Sequence, residues 1–266
     1  MTTISAVLIV YNEAHLLNDC LESIIWTDEI VVVDLYSTDN SIEIAKNFGA
    51  ITYRHSWEPI ADKVQNYAFS KATKDWILKV DPDERISKRL TLQILEIINN
   101  PNSQDAYRLP VKDYIFSKWI RYSGWQGNLK IGLLRLFRRQ KIKWTPQVHS
   151  QPQIIGTVGE INYDESLDNA IIHFNYKDIS QYLEKFNRYT SAEAARLYQL
   201  RRPFHCLKLF YQPSKEFFKR YILYKGYKDR LHGLILSLLQ SFYVMVSYMK
   251  LWELERSKKN NTDNIN

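Results

Sequence analysis

The chain has 266 residues, long enough to bury one sizeable core and carry an appendage, and its charged and apolar fractions are those of a globular protein. Its formal net charge is +7, but residues 201–259 hold 13 Lys and Arg against 4 Asp and Glu, so the positive excess belongs to the C-terminal end. Such a segment suits nucleic acid, an anionic membrane or water, while Cys20 and Cys206 alone exclude a disulfide framework or a cysteine metal site and fit a reducing cytoplasm.

Met1-Thr2-Thr3-Ile4 lacks a basic leader, and the apolar run that follows stops at Val10, too short for a signal peptide. Ile4 to Val10 is β-branched and apolar, a strand; Leu16, Leu17, Cys20, Leu21, Ile24 and Ile25 then recur at helical spacing. Ile30 to Val33 is a second strand closed by Asp34, and a turn through Ser37-Thr38-Asp39-Asn40 leads to a helix stopped by Gly49. Ala50 to Arg54 makes a third strand, and a helix from about Ala61 to Ala72 feeds a fourth that ends at Asp81. Strand and helix alternate throughout, which predicts right-handed crossovers and an α/β fold with a mostly parallel sheet.

Each strand ends in polar or acidic residues on one rim: Tyr11, Asn12 and Glu13, then Asp34, then Asp81-Pro82-Asp83-Glu84. Ligands of open α/β sheets bind at that rim. Carboxylates at i and i+2, with a third beside them, repel one another unless a cation lies among them, and oxygen donors suit Mg²⁺ or Mn²⁺ held together with phosphates. The plain alternative is a solvated turn, with Asp83 or Ser87 capping the next helix and with Asp34 and Asp39 on turn duty. Neither a G-x-G-x-x-G nor a Walker sequence follows the first strand, which disfavours dehydrogenases and P-loop enzymes.

Val7-Leu8-Ile9-Val10-Tyr11-Asn12-Glu13, Val31-Val32-Val33-Asp34 with Ser37-Thr38-Asp39, and Trp76-Ile77-Leu78 through Asp81-Pro82-Asp83-Glu84 resemble, in order and spacing, the signatures of family 2 glycosyltransferases with the GT-A fold. Ile171-Ile172-His173-Phe174 and Lys185-Phe186-Asn187-Arg188-Tyr189-Thr190 are similar to the branch containing lipopolysaccharide core glucosyltransferases. The resemblance implies an inverting, metal-dependent enzyme that takes a sugar from a nucleotide diphosphate, UDP by expectation. It implies nucleotide contacts from Val10, Tyr11, Asn12, Glu13 and Asp34, with Lys63, Asn66 and Asp81 as further candidates, and a Mg²⁺ or Mn²⁺ ion on Asp83 helped by Asp81. Leu35-Tyr36 depart from the small residues usual in the second signature.

From Asp105 to Trp144 the pattern is less regular: Ala106 to Val111 and Leu133 to Arg139 suit strands, and Trp119, Tyr122 and Trp125 offer faces to sugar C–H surfaces or to a core. At Val148-His149-Ser150 the resemblance leads one to expect a glutamate as catalytic base, where this chain has Ser150. His149 is then a candidate metal ligand or base, with a structural role equally open. Glu160, Asp164 and Asp113 are the remaining base candidates, Glu160 foremost, and His173 within its apolar run reads as a satisfied core residue.

Beyond Asp178 a helical stripe runs through Tyr182, Phe186, Tyr189, Ala192, Ala195 and Leu197, and Arg201-Arg202-Pro203 marks a boundary. Phe204 to Tyr227 interleaves Lys and Arg with Phe, Tyr and Leu, as an interfacial helix does. Leu231 to Met249 has no formal charge, yet His232, Gly233, Gln240 and three serines dilute it, so spanning, lying on and avoiding a membrane all remain open. The expected division is 1–177 catalytic (1–100 for the nucleotide sugar, 101–177 for the acceptor), 178–256 helical and basic, and 257–266 disordered.

The function expected is transfer of a sugar to a cell-surface glycan or lipid-linked saccharide, as in lipopolysaccharide core or exopolysaccharide synthesis. Residues 201–256 would then meet an anionic membrane, not nucleic acid, from the cytoplasmic side. A nucleotidyltransferase would share the sheet and carboxylates but needs a Gly-rich basic loop after the first strand. A non-enzymatic basic binding protein leaves the acidic strand ends unexplained.

Overall fold

The computed structural model describes residues 2–58, 63–143 and 152–263. It divides into two compact units: residues 1–113 with 127–175, and residues 114–126 with 176–266.

The first unit begins as the sequence predicts. Strand β1 (Ile4–Val10) is almost wholly buried, as a parallel strand covered on both faces must be. Helix α1 (Ala14–Ile24) buries Leu17, Cys20, Leu21 and Ile24, spaced i, i+3, i+4 and i+7. After β2 (Glu29–Asp34) and α2 (Ser41–Asn47) the chain turns at Gly49, whose φ of +74° is the left-handed geometry of a helix stop. Strand β3 (Ile51–Arg54) and helix α3 (Gln65–Ser70) follow; Ala61, where a helix start is expected, lies outside the described residues. Then come β4 (Trp76–Lys79), short β5 (Glu84–Ile86) and α4 (Lys88–Asn99), whose N-cap is Ser87, accepting from Leu90 N.

The strand expected over Ala106 to Val111 is broken at Pro110, which has no N–H for a ladder, into β6 (Ala106–Leu109) and β7 (Val111–Ile115). β8 (Lys118–Trp119), α5 (Gln126–Lys130), β9 (Leu133–Arg138), β10 (Ile142–Lys143), β11 (Gln153–Ile154), β12 (Val158–Glu160) and β13 (Ile171–Tyr176) complete the strand-rich part. Seven strands form the main sheet in the order β12-β6-β9-β4-β1-β2-β3, with β9 antiparallel to both neighbours and the other pairings parallel. β5 pairs antiparallel with β13, which brings Glu84 opposite His173. The core is built on the two faces of the main sheet, one around Leu8, Val32, Trp76 and Ile94, the other around Val7, Val33, Phe69 and Phe137.

In the second unit α6 (Ile179–Gln199) starts at Asp178, whose carboxylate accepts from Gln181 N. Its buried face is Tyr182, Phe186, Thr190, Ala194 and Leu197: Tyr182, Phe186 and Leu197 of the expected stripe are buried, while Thr190 and Ala194 take the places expected of Tyr189, Ala192 and Ala195. Thr190 can turn inward because its hydroxyl donates to Phe186 O, 2.8 Å. α7 (Cys206–Phe218) continues into a π-helical turn (Lys219–Leu223) and, after a 3₁₀ turn (Gly226–Asp229), α8 runs over Leu231–Asp263. α8 thus carries helix into the polar segment after Ser257, where composition predicts disorder. The segment 114–126 belongs with these helices, so the units divide otherwise than at residue 177. Asp229 is the reason: its buried carboxylate accepts from Arg121 N, Tyr122 N and Ser123 Oγ.

Candidate active site

The site lies in the first unit, where β4, β1 and β2 end side by side. Val10 pairs with Asp34 across β1 and β2, and the loops beyond are stitched together by short polar side chains. Asn12, at a φ of +54°, donates its N–H to Ser37 Oγ (2.9 Å) and accepts from Thr38 N at Oδ1 (2.7 Å). Glu13 N donates to Ser41 Oγ, and Asp39 accepts from Ala14 N as well as from Ser41, so Asp39 holds the start of α1 and not only that of α2. Burial pushes the Asp39 carboxyl up, but these donors outweigh it and hold it below the usual range.

Asp34 is fully buried. Its Oδ1 accepts from Ser37 N, while Oδ2 has no hydrogen-bond partner among the described residues. A buried acceptor without a donor costs about 1–3 kcal/mol, so this oxygen is available to accept a hydrogen bond. Tyr11, half-exposed, meets Trp57 edge to face at 6.1 Å, and Tyr36, at a φ of +62°, lies under the Arg54 guanidinium at 5.6 Å. Leu35, the other departure from the family signature, is buried in the core.

The three carboxylates of the Asp81–Glu84 turn do not converge as the sequence suggests. Glu84 is fully buried and points inward: it accepts from Asp81 N (2.9 Å) and from Arg135 of β9. Asp81 has both oxygens engaged, by Lys79 Nζ at 2.8 and 3.0 Å and by Arg135 at 2.8 Å. Burial alone would raise the Asp81 carboxyl, but Arg135 and Lys79 hold it far below the usual range. In Glu84 burial wins over Arg135, and the carboxyl is raised. Lys79, Asp81 and Glu84 from this segment and Arg135 from β9 thus form a cluster of two bases and two acids, in which Asp81 is the most exposed member.

Asp83 faces the other way. His173 Nε2 lies 3.5 Å from Asp83 Oδ1, and its Nδ1 is 2.8 Å from Oδ1 of buried Asp113, which also takes Asn128 Nδ2 at 2.8 Å. The backbone reinforces the pairing, because Phe174 N donates to Asp83 O. Burial pushes the His173 imidazole down, but Asp83 and Asp113 together raise it well above its usual value. The expectation of a simple core histidine is therefore corrected: register across β5 and β13 delivers His173 to the acidic turn. Asp113, singled out as a possible base, is instead the carboxylate that orients this imidazole.

Asp83 Oδ1 and His173 Nε2, 3.5 Å apart, are an oxygen and a nitrogen of the kinds that coordinate divalent ions, and an Nδ1 to carboxylate bond like that to Asp113 is the usual support of a metal-binding histidine. Among the described residues no group of three His, Cys, Asp or Glu makes a complete protein cage, and Mg²⁺ commonly takes one or two protein donors and completes its shell with phosphates and water.

Other expected site residues fall elsewhere. Lys63 pairs with Glu58 at 3.1 Å and Asn66 is exposed on α3. Glu160 ends β12, the outermost strand, three strands or about 14 Å from β4. Asp164 accepts from Ser166 in a local turn. His149 lies outside the described residues. Trp119, Tyr122 and Trp125 belong to the second unit, where Arg121, Lys228 and Arg220 respectively lie over their rings.

The family profile described as Glycosyl transferase family 2 matches residues 5–154, more than half of the chain. An uncharacterized glycosyltransferase, RT0209, of Rickettsia typhi is 26% identical over 98% of this chain and 90% of its own length. The lipopolysaccharide core biosynthesis glycosyltransferase LpsC of Rhizobium meliloti is 24% identical over 94% of this chain and 92% of its own. Among solved structures, the mannosyltransferase PcManGT of Pyrobaculum calidifontis, in complex with GDP-Man and Mn²⁺, superposes with a TM-score of 0.50 at 12% identity, covering 94% of this chain and 86% of that one. Profile and sheet topology agree, and the chain belongs to glycosyltransferase family 2, an enzyme family built on the GT-A fold.

Proposed function

We propose that this glycosyltransferase moves a sugar from a nucleotide diphosphate, UDP by its sequence resemblance, to a hydroxyl of a lipid-linked or cell-surface saccharide with inversion at C1. The observation that carries the reading is the division of the acidic turn into two jobs. Asp81 and Glu84 lock Arg135 and Lys79 in place, while Asp83 is left to pair with His173.

In this proposal Asp34 accepts from the donor nucleoside with its unpartnered oxygen, and Tyr11, Asn12 and Glu13 line the same loop. Asp83 and His173 would hold Mg²⁺ or Mn²⁺, with Asp113 fixing the imidazole, and such an ion would supply positive charge to offset the negative charge developing on the leaving diphosphate. Arg135 and Lys79, balanced by their two acids, keep the turn rigid without offering a rival metal ligand. The family's expected glutamate is replaced by Ser150, and the base role is assigned to His149. PcManGT, which binds GDP-Man and Mn²⁺, supports a metal-bound nucleotide sugar, and LpsC, named for lipopolysaccharide core biosynthesis, supports a glycolipid acceptor. An amphipathic acceptor of that kind is met at the cytoplasmic surface of a membrane.

The test is a panel of nucleotide sugars assayed for hydrolysis and thermal stabilisation with and without Mn²⁺. One donor should stand out and need the ion, and Asp83→Ala should lower kcat/KM by about a thousandfold or more, the scale on which electrostatic stabilisation of a leaving group acts. A variant that retains parental turnover refutes the assignment.

A further inference from the structure

From the arrangement of α7 we infer that this helix and the turn after it form a docking face for an anionic lipid bilayer, on which the enzyme lies without crossing it. Leu207, Phe210, Tyr211, Phe218 and Ile222, at i, i+3, i+4, i+11 and i+15, share one side of the helix. They are exposed to 84%, 68%, 62%, 62% and 55%. The opposite side is already used: Pro213 is buried, and its carbonyl accepts from Ser241 Oγ of α8 at 2.7 Å. Five large apolar side chains in a row, uncovered by any described residue, are a surface that water disfavours.

Charge identifies what covers it. Lys208 and Lys215, i and i+7, run beside the stripe, and exposed Arg201, Arg202, Lys225, Lys228 and Arg230 flank its ends. Residues 201–230 contain nine Lys and Arg and two acids, and neither acid opposes an anionic partner: Glu216 is paired with Arg220 and Lys219, and Asp229 is buried. A second copy of this chain would bring the same positive charge to the interface, whereas a bilayer with anionic headgroups offers both the apolar layer and the counter-charge.

α8 is not the element that enters the membrane. Its window Leu231–Ser257 is long and apolar enough to cross one. Yet Gln240 donates to Tyr182 Oη, Tyr243 to Tyr189 O, and Lys250 Nζ lies 2.7–2.9 Å from four oxygens of Asn187, Thr190 and Ser191 on α6. Spanning would strip that ammonium of its cradle.

The inference extends the proposed function to where the enzyme works but stands on α7 alone, so its test needs neither donor nor metal. The full chain is mixed with phosphatidylcholine vesicles with and without phosphatidylglycerol, at low and high salt, and its oligomeric state is measured in parallel. Binding should require phosphatidylglycerol and weaken with salt. Lys208→Glu/Lys215→Glu should weaken it by roughly thirty-fold or more, given about 1 kcal/mol per basic residue at an anionic surface. Leu207→Ser/Phe218→Ser/Ile222→Ser should weaken it by at least about tenfold, with unchanged circular dichroism. Equal binding to both vesicle types, no binding, a dimer dissolved by the apolar triple variant, or resistance of the membrane-bound chain to alkaline carbonate would each overturn the inference. An inactive enzyme that still binds would instead count against the catalytic reading.

Discussion

At the level of single residues, two neighbouring acids in one turn have opposite fates because of the side of β4 from which cations reach them. Asp81 meets Arg135 and Lys79; Asp83 meets His173. Arg135→Met should therefore leave buried Glu84 without its cation and Asp81 with Lys79 alone. A loss of about 3–5 kcal/mol in urea unfolding is expected, the scale for breaking a buried pair from one side. Glu84→Gln, which keeps the shape and one hydrogen bond to Arg135, should cost less. His173 gives a pH signature. Its folded value is raised, so in the metal-free protein the imidazolium contributes stability in full below the ordinary histidine value of about 6.5. That contribution is lost as pH rises through the raised folded value. His173→Gln should flatten this part of the melting-temperature profile. Because metal must displace the same proton, Mn²⁺ stabilisation of the native chain should grow with pH over the same window.

Among elements, β1 to β4, β6 and β9 were legible from their apolar or β-branched runs, whereas the two- and three-residue strands β5, β8, β10, β11 and β12 were not, and the helix ends were legible where a cap or glycine stood. Ser87 and Gly49 perform as their residue types predict. The short connecting turns were not legible, since their geometry depends on remote partners. The 3₁₀ turn before α8 is the clearest case. Asp229, a single acid in a basic stretch, is buried to bind the backbone of residues 121 and 122, more than a hundred positions earlier. Asp229→Ala should leave those two N–H groups without their acceptor and destabilise the second unit by about 2–3 kcal/mol, read as a lowered melting transition. Gly233 belongs to the same joint: a Cβ there would fall 1.8 Å from Gly226 O, so Gly233→Ala should unfold this corner.

For the whole molecule, the division into units is not a division of the chain into two lengths. Residues 114–126 return to the C-terminal helices, where Ile115 and Ile120 share a small core with Leu236. A chain ending at Lys177 keeps the family signatures and all residues of the Asp83–His173 site, yet exposes those side chains. It should be insoluble or aggregate on purification, which expression and light scattering will show, whereas a chain ending at Ser257 should remain soluble.

The sequence by itself determined the alternation of the first four strands with helices, the family and the placement of Asp34 and Asp83 just where strands end, because these rest on local apolar runs and on the polar residues that close them. Tertiary structure alone decided which partner each acid meets. Arg135 and His173 come from strands more than fifty residues beyond the acidic turn, and only strand order and register bring one to Asp81 and the other to Asp83. The same holds for α7: its interleaved Lys and aromatic residues suit an interface, but which side of the helix meets α8, and which is left exposed, is fixed by packing.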